Sequence, residues 1–361
     1  MELFASTGNW VEALGKTLIH SIRISMLIYS LLRILLHTVP DRYSDLRYKM
    51  ALISMLGVLV SVTGLFFLLY APEIALTLYD KTEGSYALLS FLQKNKTLVP
   101  QGPDLQLPYV ICTYIYLAGI PIVLIRSAIS IRYLRFMRKS GTPVQDDWLV
   151  RFNLLKTSLG IQRKVDFLET KKLNTPALIG FMKPVVLIPA GMLTNLSVSQ
   201  VETILLHELF HLRRFDTLVN VMQVIIENLL FFNPAVWALS KLVRHEREKC
   251  CDDRVLGSCE NPLIYAKALY QLAGKDHQLS KLAPGAGGSD QIQLYDRIKR
   301  ILNQHAMKNN IRERLFSFLI LAGGLLIMLT VTGFSSGFHL SSSFKQAYGV
   351  APDPWRRAIM A

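Results

Sequence analysis

The chain has 361 residues, of which 51% are hydrophobic and only 18% charged, with a mean hydropathy of +0.31. This composition excludes a disordered chain, and 21 Gly with 4 Cys exclude a collagen-like repeat or a disulfide scaffold. A net charge of +14 leaves nucleic acid, an anionic membrane surface or membrane-topology signals as its explanation, and the placement of the charges separates them.

Four stretches suit the roughly 20 apolar residues of a membrane-crossing helix. They run at about 16–39, 50–70, 109–131 and 315–334. The first contains His20 and Arg23, while the second and fourth carry no charge. The first is too long, and follows too many acidic residues (Glu2, Glu12), to read as a cleaved signal peptide. Arg42, Arg47 and Lys49 fill the loop after the first span, and Arg132, Arg135, Arg138 and Lys139 follow the third. Basic residues collect on the inner side of a membrane. The sequence therefore predicts an N-terminal membrane region at 1–131 with its N-terminus outside. A cytosolic domain follows at 132–314, then a fourth span at 315–334 and a short extracytoplasmic tail at 335–361. Between 132 and 314, 27 Lys and Arg stand against 17 Asp and Glu, so this region holds most of the excess charge. The sequence has no helix-turn-helix, zinc-finger or RNP pattern, so no direct contact with nucleic acid is expected.

Within the central region, residues 175–192 (TPALIGFMKPVVLIPAGM) read as a short hairpin, because Pro and Gly punctuate a β-branched run. Helical periodicity begins near Ser197, and Ser199 with Glu202 has capping-box spacing. The segment SKLAPGAGGSD (280–290) reads as a flexible loop. Residues 220–237 are apolar enough to suggest another span. Asn233-Pro234 breaks the segment, however, and a span there would split the motifs on its two sides. It is read instead as a helix packed in the domain or lying against the bilayer.

The sequence HELFH, from His207 to His211, is H-E-x-x-H. Histidines four apart share one helix face and can hold a single Zn²⁺, whereas Glu208 points about 100° away, where it can take a proton from attacking water as general base. A buried helix with two satisfied histidines is the plainer alternative. A zinc site needs a third ligand, and KLVRHEREKCCDD (241–253) offers candidates. His245, Glu248 and Asp252 share a helix face, and Glu246 lies opposite Glu248. Spacing alone allows either Glu248 or His245 as the ligand, with Asp252 orienting an imidazole from behind. Arg213, Arg214 and Asp216 could pair or support the site. Cys250, Cys251 and Cys259 do not have C-x-x-C spacing and read as reduced thiols.

These blocks resemble the BlaR/MecR-type integral-membrane zinc metallopeptidases. The resemblance rests on HELFHLRRFD (207–216), FFNPAVW (231–237), RHEREKCCDD (244–253) and the pattern Pro176, Gly180, Pro184, Pro189, and it covers about residues 15–335. It implies a multi-pass α-helical membrane protein with a cytosolic gluzincin-like α+β zinc metalloprotease domain, in the bacterial cytoplasmic membrane. Carried over by residue, it implies His207, His211 and Glu248 as Zn²⁺ ligands, because Glu248 to Asp252 looks like the family's E-x-x-C-D, and Glu208 as general base. That motif also resembles the E-x-x-A-D of HtpX-type membrane proteases, which implies quality control as an alternative role. A signalling scaffold without catalysis is a third reading.

The family's members cleave themselves near the last span and promote loss of a cytosolic DNA-binding repressor. The resemblance therefore implies a repressor as protein substrate, self-cleavage near 280–300, and a homodimer as one assembly compatible with it. Family sensors also carry an extracellular penicillin-binding domain. The tail at 335–361 is too short to bury a core of that kind, so direct β-lactam acylation is not expected.

Overall fold

The computed structural model describes residues 2–79, 106–259, 261–280 and 288–303. The expected fourth span, the tail, and most of the 71–108 and 280–290 loops lie outside the described residues. The chain divides into two compact units. One holds 1–32, 54–119 and 310–361, and the other holds 33–53 and 120–309.

Three long helices open the chain: α1 (Glu2–Thr38), α2 (Ser44–Tyr79) and α3 (Gln106–Lys139). Each contains a stretch long and apolar enough to cross a membrane, Trp10–Thr38, Ser44–Tyr70 and Leu107–Lys139. Pro40 stands in the five residues between α1 and α2, where its missing N–H does not interrupt a helix. In the first unit, α1 and α3 approach closely at Gly15. Any Cβ there would collide with the Tyr109 backbone carbonyl. One turn away, the Thr113 hydroxyl donates to the Val11 carbonyl at 2.7 Å.

The second unit contains a small mixed sheet: β1 (Thr142–Pro143), β2 (Asp166–Thr170), β3 (Ala177–Ile179) and β4 (Val185–Pro189), in the order β1-β2-β4-β3. β2 and β4 are parallel, with Asp166 opposite Val185, and β3 returns antiparallel to β4 as the expected hairpin. Gly180 turns that hairpin at φ +87°, a conformation that strains any side chain. β4 is buried along its whole length, which is why VVLI reads as a continuous apolar run. Val186 and Ile188 face the main core with Phe167, Val201, Leu205 and Leu209, while Val185 and Leu187 face Met137. Such fully buried aliphatics stabilise by about 1.5–3 kcal/mol each.

Among the described residues, seven helices complete the unit: α4 (Asp146–Ser158), α5 (Met192–Asn195), α6 (Val198–Arg213), α7 (Asp216–Leu229), α8 (Pro234–Leu256), α9 (Pro262–Ser280) and α10 (Gly288–Asn303). α6 is buried on almost every side. Val201, Ile204 and Leu205 face the sheet, and Leu206 and Phe210 face Cys251, Val255 and Tyr265. Its capping box is not the expected one. Ser197 caps the helix and exchanges hydrogen bonds with Gln200, whereas Glu202 lies a turn further in and pairs with Arg151 at 3.1 Å. The 220–237 segment is two helices rather than a span. α7 ends at Leu229, and Asn233 caps α8, whose first residue is Pro234. α10 begins at Gly288, so the last residues of the expected 280–290 loop are helical.

Candidate metal centre

α6 places His207 and His211 one turn apart, with ring centroids 4.7 Å apart and planes near perpendicular. Their Nε2 atoms face each other at 3.1 Å. α8 brings Glu248 across the gap: Oε2 lies 3.4 Å from His207 Nε2 and Oε1 3.6 Å from His211 Nε2. Two donors each about 2.0–2.1 Å from a tetrahedral zinc stand about 3.3 Å apart, so the 3.1–3.6 Å triangle has the dimensions of a zinc ligand set.

The outer nitrogens show which ring atom is available. His211 Nδ1 is 2.8 Å from Asp216 Oδ2. Burial would raise the Asp216 carboxyl, but the hydrogen bond from His211 and the Arg214 charge hold it below the usual range. It is therefore ionised and can only accept, so His211 Nδ1 carries a proton. His207 Nδ1 is 2.9 Å from the Tyr265 hydroxyl, which donates onward to Asp252 Oδ1 at 2.7 Å. Arg297 grips the same Asp252 through Nε at 2.9 Å and Nη2 at 2.7 Å. Burial opposes ionisation of Asp252, yet Arg297 and His207 hold it well below the normal range, while burial and the Asp252 charge push the Tyr265 hydroxyl well up. Asp252 therefore accepts, Tyr265 keeps its proton and donates it there, and the Tyr265 oxygen receives His207 Nδ1–H. With Nδ1 of each ring engaged from behind, Nε2 is the nitrogen directed at the gap, the one that would ligate once a metal takes the place of its proton.

Burial alone would disfavour charge on either ring and on Glu248. The carboxylates of Asp252 and Glu248 nevertheless raise His207. Cys251, Glu248 and Asp216 raise His211, while His211, His207 and Arg297 hold Glu248 well below the carboxylate range. The pocket thus attracts positive charge, which a divalent cation can supply in place of protons.

Glu208 is buried at 9% exposure on the same helix and, among the described residues, has no ion-pair or hydrogen-bond partner. Spacing left His245 open as a ligand. It lies away from this triangle, beside Lys249, Asp296 and Arg300. Glu246 is fully buried against Arg47 at 3.2 Å and Lys249 at 3.1 Å. A second donor group, His211, Asp216 and Cys251, is also compact. It uses the outer nitrogen of His211, and burial raises the Cys251 thiol, so this group fits a support for the ring better than a site with an open position. Tyr265 and Arg297 carry no sequence signal of a role here, and Asp216 was visible only as a possible support.

A profile of the BlaR1 peptidase M56 family matches residues 78–301. The chain belongs to that family. This M56 chain is 25% identical over 193 residues to the Regulatory protein BlaR1 of Bacillus licheniformis, covering 52% of this chain and 32% of that one. It is 22% identical over 190 residues to the Methicillin resistance mecR1 protein of Staphylococcus aureus, covering 51% and 32% respectively. The alignments thus span about a third of the length of these curated relatives. The crystal structure of S. mikatae Ste24p covers 84% of this M56 chain and 94% of its own, at 14% identity and a TM-score of 0.23, too low to support a statement about fold. The family and the three apolar helices indicate a bacterial membrane protein of metallopeptidase kind.

Proposed function

We propose that this M56 protein is a membrane-anchored zinc endopeptidase, with His207, His211 and Glu248 as ligands and Glu208 as general base. One observation carries the reading: two imidazoles held with Nε2 inward meet Glu248 at ligand distances, while the buried Glu208 beside them has no hydrogen-bond or ion-pair partner among the described residues. A purely structural metal has no use for that free carboxylate. Zinc bound there would polarise the scissile carbonyl and acidify water. Glu208 takes the proton from the attacking water and passes it to the leaving amine. Asp252 acts from behind, fixing His207 through Tyr265. The edge strand β3 neighbours α6 and leaves main-chain groups for an extended peptide to pair with.

The wider role follows the relatives named as a regulatory and a methicillin-resistance protein. In this reading the domain is cytosolic, beneath the bacterial cytoplasmic membrane with the N-terminus outside. It cleaves a DNA-binding repressor, with self-cleavage near 280–300, a region only partly among the described residues. The test compares neo-N-termini by mass spectrometry in cells expressing wild type or Glu208→Gln, with zinc content measured on both purified proteins. New termini in a repressor, or in the chain's own 280–300 region, seen only with wild type, are expected. Termini scattered over many membrane proteins would replace signalling with quality control, and zinc without any cleavage under cell-wall stress would leave a scaffold.

A further inference from the structure

α7 turns polar side chains inward beside the fully buried Ile226. Gln223 is fully buried, donating to the Ser240 hydroxyl at 2.9 Å and accepting from Arg247 Nη1 at 3.1 Å. Glu227 is buried too, accepting from Arg244 Nη1 at 2.7 Å and from the Ser240 hydroxyl. The opposite face is aliphatic and open: Leu218 is 48% exposed, Val221 50% and Ile225 52%. Domains surrounded by water place these two classes the other way round, whereas polar residues at membrane depth turn toward protein and aliphatics toward lipid.

The far end of α7 is tied to a membrane-crossing candidate. Asn228 Nδ2 donates to Ser127 Oγ of α3 at 2.8 Å. Only 6% of the apolar window of α3 is buried, and its Leu124, Ile125 and Ile129 around Ser127 stand 57–62% exposed. The aliphatic face of α7 thus adjoins a surface already suited to hydrocarbon. At 14 residues α7 is about 21 Å long, too short to cross a bilayer that needs about 20 residues.

From this juxtaposition we propose that α7 lies in the membrane as a non-spanning helix, its Leu218–Val221–Ile225 face in contact with lipid acyl chains. The proposal does not rest on peptidase activity. Its consequence does: Asp216, the first residue of α7, holds His211, so the metal centre sits at the membrane surface and favours peptide bonds close to it.

The test is nitroxide labelling of the full chain in phosphatidylethanolamine–phosphatidylglycerol vesicles. Leu218→Cys, Val221→Cys and Ile225→Cys are each labelled in a Cys112→Ser, Cys259→Ser background, with Asn153→Cys on α4 as an exposed reference. Oxygen concentrates in hydrocarbon, and a nickel chelate stays in water. The ratio of oxygen to nickel collisions is expected to exceed that at Asn153→Cys by about an order of magnitude at the three α7 positions. Nickel collisions equal to the reference would place the face in water. Exclusion of both reagents would mean that protein, such as a second copy, covers it. Either result overturns the proposal. Three positions are read so that a misfolded variant at one leaves two to decide.

Discussion

The two imidazoles of the centre are supported differently. His211 leans directly on a carboxylate, Asp216, at 2.8 Å, with Cys251 3.3 Å from the same nitrogen. His207 reaches its nearest hydrogen-bond partner, Tyr265, at 2.9 Å, and the carboxylate behind it, Asp252, is held by Arg297. A direct carboxylate fixes the ring and strengthens it as a donor. A tyrosine bridge fixes the ring while a guanidinium absorbs most of the charge behind it. The two sides therefore set the same tautomer with unequal electrostatic weight.

The largest expected effect leaves both sides intact. Glu208→Gln should lower peptide-bond cleavage by about 10²–10⁴-fold while zinc content, read by atomic emission, stays at the wild-type value. Loss of zinc would mean that Glu208 helps to build the ligand set. Next comes the direct support. Asp216→Asn should weaken zinc binding by about 10–100-fold in a chelator competition, because an amide can accept from Nδ1 but carries no charge. Tyr265→Phe should cost less than Asp216→Asn in the same competition, because Asp252 Oδ1 already stands 3.4 Å from His207 Nδ1 and can accept directly. Equal losses would erase the distinction between the two rings. The smallest change belongs to Cys251→Ser. Its buried thiol stays protonated, so zinc affinity should shift by less than Tyr265→Phe shifts it. A loss as large as that of a ligand histidine would move the metal to the His211–Asp216–Cys251 group.

Sequence reached the residues that face the proposed metal position and missed most of those behind them. His207, Glu208 and His211 are legible because i and i+4 on a helix meet by geometry alone. Glu248 and Asp252 share one face of α8 for the same reason; spacing could not separate Glu248 from His245, the family resemblance implied Glu248, and the packing of α8 against α6 brings Glu248 to the histidines. Tyr265 and Arg297 arrive singly from α9 and α10, and no spacing rule links a lone Tyr to a histidine 58 residues away or a lone Arg to an aspartate 45 residues away. The capping register slipped because Ser197–Gln200 and Ser199–Glu202 both satisfy the pattern, and only the tertiary packing distinguishes them: Gln200 is buried against the cap while Glu202 is drawn to Arg151 of α4. The hairpin was legible from Gly180 and the prolines. The apolar character of α7 was visible, but the side that faces protein was not, because its buried polar network is closed by Ser240, Arg244 and Arg247 of the next helix.

The order of these elements along the chain has a consequence during synthesis. His207, His211, Asp216 and Glu248 all lie on α6, α7 and α8, three consecutive helices that pack on one another. Arg297 follows Glu248 by roughly 50 residues, which at ~5–20 residues per second is an interval of seconds on the ribosome. A nascent chain that uses the proposed ligand set could therefore gather those donors, and take up zinc, before the residue that clamps Asp252 has been made. On that reading, metal capture and final closure of the centre become two separately timed steps, and a stall between them would leave a loaded but unclamped domain.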